Sequence, residues 1–74
     1  DDSEDWKAYL DGIRAMTEGR YSDGLVAWIG MLERRVRDVV DDGARKACIA
    51  VFHFLGEDHE VTQAHRRAFS SALY

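Results

Sequence analysis

Apolar residues recur along this 74-residue chain at steps of three and four, in four stretches separated by glycines and acids. The most apolar stretch runs from Asp41 to Gly56. Ala44, Ala47, Cys48, Ile49, Val51, Phe52, Phe54 and Leu55 cover most of its circumference. Asp41 and Asp42 suit the positive end of a helix, where unpaired N–H groups seek an oxygen. Gly56 suits the left-handed position that ends one. A helix apolar on so many sides is normally a buried member of a bundle, so the other elements are expected to pack around this one.

The remaining stretches read as three more helices. From about Asp5 to Glu18, Trp6, Tyr9, Leu10, Ile13 and Met16 mark one helical face, with Ser3 or Asp5 placed to cap it and Gly19 to end it. Gly12 sits inside that helix and costs about 1 kcal/mol relative to alanine, which close approach of another helix would compensate. A short turn, residues 19–23, leads to a second helix from about Asp23 to Arg35, with Ser22 as its expected cap. Leu25, Trp28, Ile29 and Leu32 lie on its apolar face, and Gly24 and Gly30 are its small positions. So short a turn makes the first two helices an antiparallel hairpin. The connection from Val36 to Val40 is expected to be a bent loop with Val39 or Val40 tucked inward. After a second turn at Gly56-Glu57-Asp58, with Asp58 as the natural cap, a fourth helix carries Val61, Ala64, Ala68, Phe69, Ala72 and Leu73 on one face. The pattern predicts an all-α fold of four antiparallel helices in two stacked hairpins.

Composition narrows the function classes. The length allows one domain with a small core. At 46% hydrophobic and 32% charged, the chain reads as a soluble globular domain, not a disordered tail. No apolar run approaches the ~20 residues that span a bilayer, and the start shows no basic, apolar leader. The chain opens without methionine, as a domain of a longer polypeptide would. Four acids, Asp1, Asp2, Glu4 and Asp5, lie in the first five residues, and the remaining acids and bases balance. Residues 1–5 are accordingly expected to be an acidic linker or N-terminal extension to a helical domain over residues 6–74. A nucleic-acid partner is disfavoured, because the basic cluster at Arg34, Arg35 and Arg37 is flanked by Glu33, Asp38, Asp41 and Asp42. The mixed charge on the polar faces also argues against a membrane-surface helix.

The chain shows no chemistry of its own. Cys48 is the single cysteine, suits a reducing compartment and reads as a small buried hydrophobe. His53, His59 and His65 are six residues apart and lack the short, paired spacing of zinc ligands, so no metal site is assigned. The acid pairs Asp41/Asp42 and Glu57/Asp58 fall where helices begin, which capping explains without acid–base catalysis. With no phosphate loop or nucleophile motif, neither an enzyme nor a cofactor is expected.

Two resemblances add to this reading. Gly19-Arg20-Tyr21-Ser22-Asp23-Gly24-Leu25 resembles the turn of a tetratricopeptide repeat, where a glycine, an aromatic and a small residue recur in that order. Trp28 then falls where the repeat carries its large aromatic, and Gly24 stands in place of the usual alanine. Asp41-Asp42-Gly43-Ala44-Arg45-Lys46-Ala47, Phe52, Leu55-Gly56 and the closing Arg66-Arg67…Leu73-Tyr74 resemble the C-terminal helical domain of the YbbN family, the bacterial thioredoxin-like co-chaperones. That resemblance covers Trp6 to Tyr74 in one register. It implies a preceding thioredoxin-fold domain, a cytoplasmic setting, and helices that engage client proteins and chaperones. No Cys-x-x-C exists in this chain, so redox activity is not assigned to it.

The expected function is therefore protein binding. Stacked hairpins form a concave surface that holds peptides, and Tyr9, Arg14, Tyr21, Arg45 and Arg66 are the candidate partner-binding residues. Repeat arrays usually need about three repeats to bury their ends, so two hairpins are expected to lean on an attached domain or a second copy. The alternative is a structural domain that only docks or dimerises, through an edge containing Trp6, Tyr21, Phe54 and Tyr74.

Overall fold

The computed structural model describes residues 2–35 and 42–73, with side chains from Glu4 onward. Helices α1 (Asp2–Thr17), α2 (Tyr21–Glu33), α3 (Gly43–Leu55) and α4 (Glu60–Leu73) form two hairpins, and no strand occurs among the described residues. The all-α architecture of four antiparallel helices expected from the periodicity is the one observed, in the tetratricopeptide-repeat-like form that the resemblance implied. Val39, Val40 and Asp41 lie outside the described residues, as does Tyr74.

Helix α1 starts at Asp2, three residues ahead of the expected Asp5. Glu4 and Asp5 thus fall in its first turn, where carboxylates favour the positive end of the helix dipole. Its other end closes as expected on Gly19. There the Arg20 N–H donates to the Ala15 carbonyl at 2.8 Å and the Gly19 N–H to Met16 at 3.1 Å. This paired arrangement needs a positive φ at the glycine, which is +78°. The turn is so tight that α2 begins at Tyr21, and Ser22 lies inside the helix instead of capping it. Arg20 takes the capping position without a side-chain cap bond, its guanidinium held by Glu18 at 2.6 Å and Asp23 at 3.2 Å.

Helix α2, not α3, is the hub. It packs on α1, α3 and α4, whereas α1 packs chiefly on α2 alone. Leu25, Trp28, Ile29, Met31 and Leu32 are all buried. The tightest seam is between α1 and α2, where a Cβ placed on Gly12 would lie 2.5 Å from Cε2 of the Trp28 indole. Nε1 of Trp28 donates to the Tyr9 carbonyl at 3.1 Å, so the ring both fills the space over Gly12 and satisfies its own donor. The expected compensation for Gly12 is therefore present. Gly24 completes the seam, with the Gly12 carbonyl 3.0 Å from where its Cβ would be.

The second hairpin closes differently. Phe52 of α3 and Phe69 of α4 meet edge to face, with centroids 5.3 Å apart. Asp42 precedes α3 but does not cap it. Its φ of 67° and ψ of 35° are left-handed, which turns the side chain away from the first N–H groups, and Oδ2 pairs with Arg45 at 2.6 Å instead. Asp58 does not cap α4 either, because the helix starts later. His59 does so, its Nδ1 accepting the Val61 N–H at 3.1 Å. Gly56 ends α3 with positive φ, 91°, but an extended ψ of 158° in place of the left-handed one expected. The molecule measures 36 × 29 × 16 Å, about two helices thick at its thinnest. That thickness leaves faces of α1 and α3 without neighbours among the described residues.

Candidate functional site: an apolar cleft between α1 and α3

The apolar face predicted for α1 is split by the fold. Tyr9 and Met16 pack against the core, while Trp6, Leu10 and Ile13 are 40–47% exposed. Ala8, Gly12 and Ala15, small residues one turn apart, take the place on α2 that the large ones were expected to fill. The physical reason is the indole of Trp28, which needs a face without bulk. A large side chain at position 12 would displace it.

On α3 the same division occurs. Ala44, Cys48 and Phe52 face the core, and Phe54 stands 77% exposed. Met16 of α1, Tyr21 at the start of α2, and Ala50, Val51 and Phe54 of α3 together line a mostly apolar cleft of ≈ 330 Å³. The Tyr21 and Phe54 rings approach with centroids 6.5 Å apart and tilted planes. The α1 strip meets this cleft at one end, where Ile13 lies one turn before Met16. Trp6 and Tyr9 stack with centroids 6.0 Å apart, and Tyr9 in turn contacts Trp28 at 6.3 Å. Aromatic rings and a methionine at the mouth of an open cleft can repack around apolar side chains of varied shape.

The five candidate residues do not converge. Tyr21 lines the cleft, Tyr9 is half-buried against Trp6 and Trp28, and Arg14 is exposed on α1. Arg45 falls on the far side of α3 and is held by Asp42. Arg66 belongs to a second, smaller cleft of ≈ 180 Å³ with Ile49, Phe52, His53, Glu57 and Phe69, where it contacts Glu57 at 3.5 Å. Met16, Ala50 and Val51 were not assigned to a binding surface from sequence, Met16 and Val51 being read only as apolar helix positions. Their signal, apolar residues beyond those a two-sided core can accommodate, is present in α3 but does not say which ones stay outside.

Cys48 is fully buried, and burial pushes its thiol up to about 12, so it is an inert core residue. Among the described residues, no group of three or more His, Cys, Asp or Glu side chains is arranged to hold a metal ion. No helix of the described residues is long and apolar enough to cross a membrane.

A family model for the tetratricopeptide repeat matches residues 1–74. Neither a curated protein nor a solved structure matches the chain. Domains of this repeat generally mediate protein–protein interaction and are typically not catalytic. The Gly19–Trp28 turn, the paired hairpins and the full-length match agree, and the chain belongs to the tetratricopeptide-repeat family.

Proposed function

We propose that this domain binds polypeptide segments through the cleft between α1 and α3, as the interaction domain of a thioredoxin-like co-chaperone of the YbbN kind. The observation that carries the binding reading is the cleft itself, an open apolar site walled by Met16, Tyr21, Val51 and Phe54. Phe54, 77% exposed, is contiguous there with Met16, Tyr21 and Val51, and a contiguous exposed apolar patch is the kind of surface that marks an interaction site. An unfolded client offers the right chemistry, namely apolar side chains without a fixed fold. The co-chaperone setting rests on the resemblance of residues 6–74 to the YbbN helical domain, and with it the cytoplasmic location and a preceding thioredoxin fold.

Titration of the labelled domain with a permanently unfolded polypeptide tests the binding. Chemical-shift changes at Met16, Tyr21, Val51 and Phe54 are expected, and unchanged shifts at all four would sink the proposal. Intact mass of the native polypeptide, with sequencing upstream of Asp1, tests the setting, since a thioredoxin-like sequence of about a hundred residues is expected there. A second reading, docking or dimerisation alone, is favoured by the joint exposure of Trp6 and Phe54. Sedimentation across a wide concentration range separates the two, because a strictly monomeric domain excludes self-association.

A further inference from the structure

The outward strip of α1 is bordered by two cations without an ion pair among the described residues. Elsewhere most basic side chains are engaged: Arg20 by Glu18 and Asp23, Arg34 by Asp5, Arg45 by Asp42 and Arg66 by Glu57. Arg35 and Lys46 have partners too. Lys7 and Arg14 are exposed and have no ion pair among the described residues, although Glu4, Asp11 and Glu18 share their helix.

Their register places them beside the apolar strip. At 3.6 residues per turn, Trp6, Leu10 and Ile13 form one row, and Lys7 and Arg14 flank Leu10 three residues before and four after it. They lie two turns, about 10 Å, apart along the axis. The opposite border of the strip is Tyr9 and Met16, which continues into the cleft. A partner lying along the strip therefore meets apolar surface at its centre and the Lys7–Arg14 row at one edge, with the carboxylates of Glu4, Asp11 and Glu18 in the next row out.

We propose that this strip docks an amphipathic helix of a partner protein, one whose apolar stripe is bordered by carboxylates about two turns apart. The proposal rests on the protein-binding reading above and specifies the partner's chemistry. Apolar residues at i, i+3 or i+4, and i+7 would cover Trp6, Leu10 and Ile13, and the carboxylates would pair with Lys7 and Arg14. A lysine-bordered helix with the same apolar stripe would set like charges together, so discrimination comes from repulsion as well as attraction.

Two synthetic helices test this, identical in their apolar stripe and bordered by glutamates or by lysines. Binding is read by anisotropy and by the Trp6 indole N–H signal. The glutamate helix is expected to bind roughly tenfold tighter at low salt, with the ratio falling toward one in high salt. Lys7→Glu combined with Arg14→Glu is expected to reverse the preference. Should that variant not fold, Lys7→Gln with Arg14→Gln abolishes the preference instead. Equal affinity for both helices overturns the proposal. So does a concentration-dependent dimer that buries Trp6 and resists the glutamate helix. If neither helix binds but unfolded polypeptide still shifts Met16 and Phe54, only this inference falls. If nothing binds, both readings fall.

Discussion

Helices α2 and α3 have the same length, 13 residues, yet they do opposite work. Six residues of α2 are buried, Gly24, Leu25, Trp28, Ile29, Met31 and Leu32, and every other helix leans on it. In α3 only Gly43, Ala44, Cys48 and Phe52 are buried, while Phe54 faces outward. Apolar content favoured α3 as the hub. What decided for α2 is close approach: Gly12 and Gly24 let α1 sit tightly against it, and its far side remains free for the second hairpin. Burial thus follows where backbones can come near. The apolar surplus on α3 is left for the cleft.

The sharpest way to break this contrast is to remove the hub's anchor. Trp28→Ala deletes the indole over Gly12 and its bond to the Tyr9 carbonyl, and is expected to cost about 3–5 kcal/mol in urea unfolding. Domains of this kind have total stabilities of only about 5–15 kcal/mol, so a large part of the fold's margin rests on one ring. A loss under about 1 kcal/mol would show that the α1–α2 seam is not where stability resides.

The next effect is pH-dependent and lies on the buried side of α3. The Cys48 thiol ordinarily ionises near 9.0 and is raised to about 12 by burial in the folded chain. Its contribution is complete below pH 9 and is lost as pH climbs from 9 toward 12, since the unfolded chain releases its proton first. Near pH 10.5 the loss amounts to about 2 kcal/mol. Cys48→Ala is expected to remove that part of the alkaline decline, as followed by unfolding at several pH values. The native thiol should also resist thiol reagents at neutral pH.

A smaller effect of opposite sign comes from α4, at the hub's other border. Thr62 is fully buried, and its hydroxyl oxygen has no hydrogen-bond partner among the described residues. Thr62→Val keeps the branched shape and removes the stranded hydroxyl, so a gain of about 1 kcal/mol is expected from thermal or urea unfolding. Smallest of all is Phe54→Ala. With the ring already in solvent, stability should shift by less than about 0.5 kcal/mol, while binding of unfolded polypeptide at the cleft weakens. If Phe54→Ala destabilises as much as a core change, α3 has no outward face and the contrast with α2 collapses.

Much of the fold was legible in the chain. The two hairpins, the Gly19 stop and the buried set Leu25, Trp28, Ile29 and Leu32 follow from spacing, because a helix buries residues that recur every three or four positions. Caps were read less well. Ser22, Asp42 and Asp58 all have the side chains that caps favour, but capping depends on backbone dihedrals, and those follow from how tight each turn is. Asp42 is left-handed, Ser22 falls inside a helix that starts early, and His59 takes the role expected of Asp58. Of the cleft, Tyr21 and Phe54 were marked from sequence as surface residues, whereas Met16 and Val51 were read only as apolar helix positions and Ala50 was not marked.

Residue order alone determined the number of helices, their antiparallel pairing, the inert cysteine and the turn that marks the repeat. These depend on local periodicity and on glycines at helix ends, which act within a few residues. Only the tertiary structure decided which apolar residues stay outside. Trp6, Leu10 and Ile13 have the same spacing as a core face, and they lost that place to Ala8, Gly12 and Ala15 because Trp28 needed room. That choice is a matter of volume between the facing surfaces of two helices, which the spacing within either one does not contain, and it leaves this small domain with an exposed apolar strip.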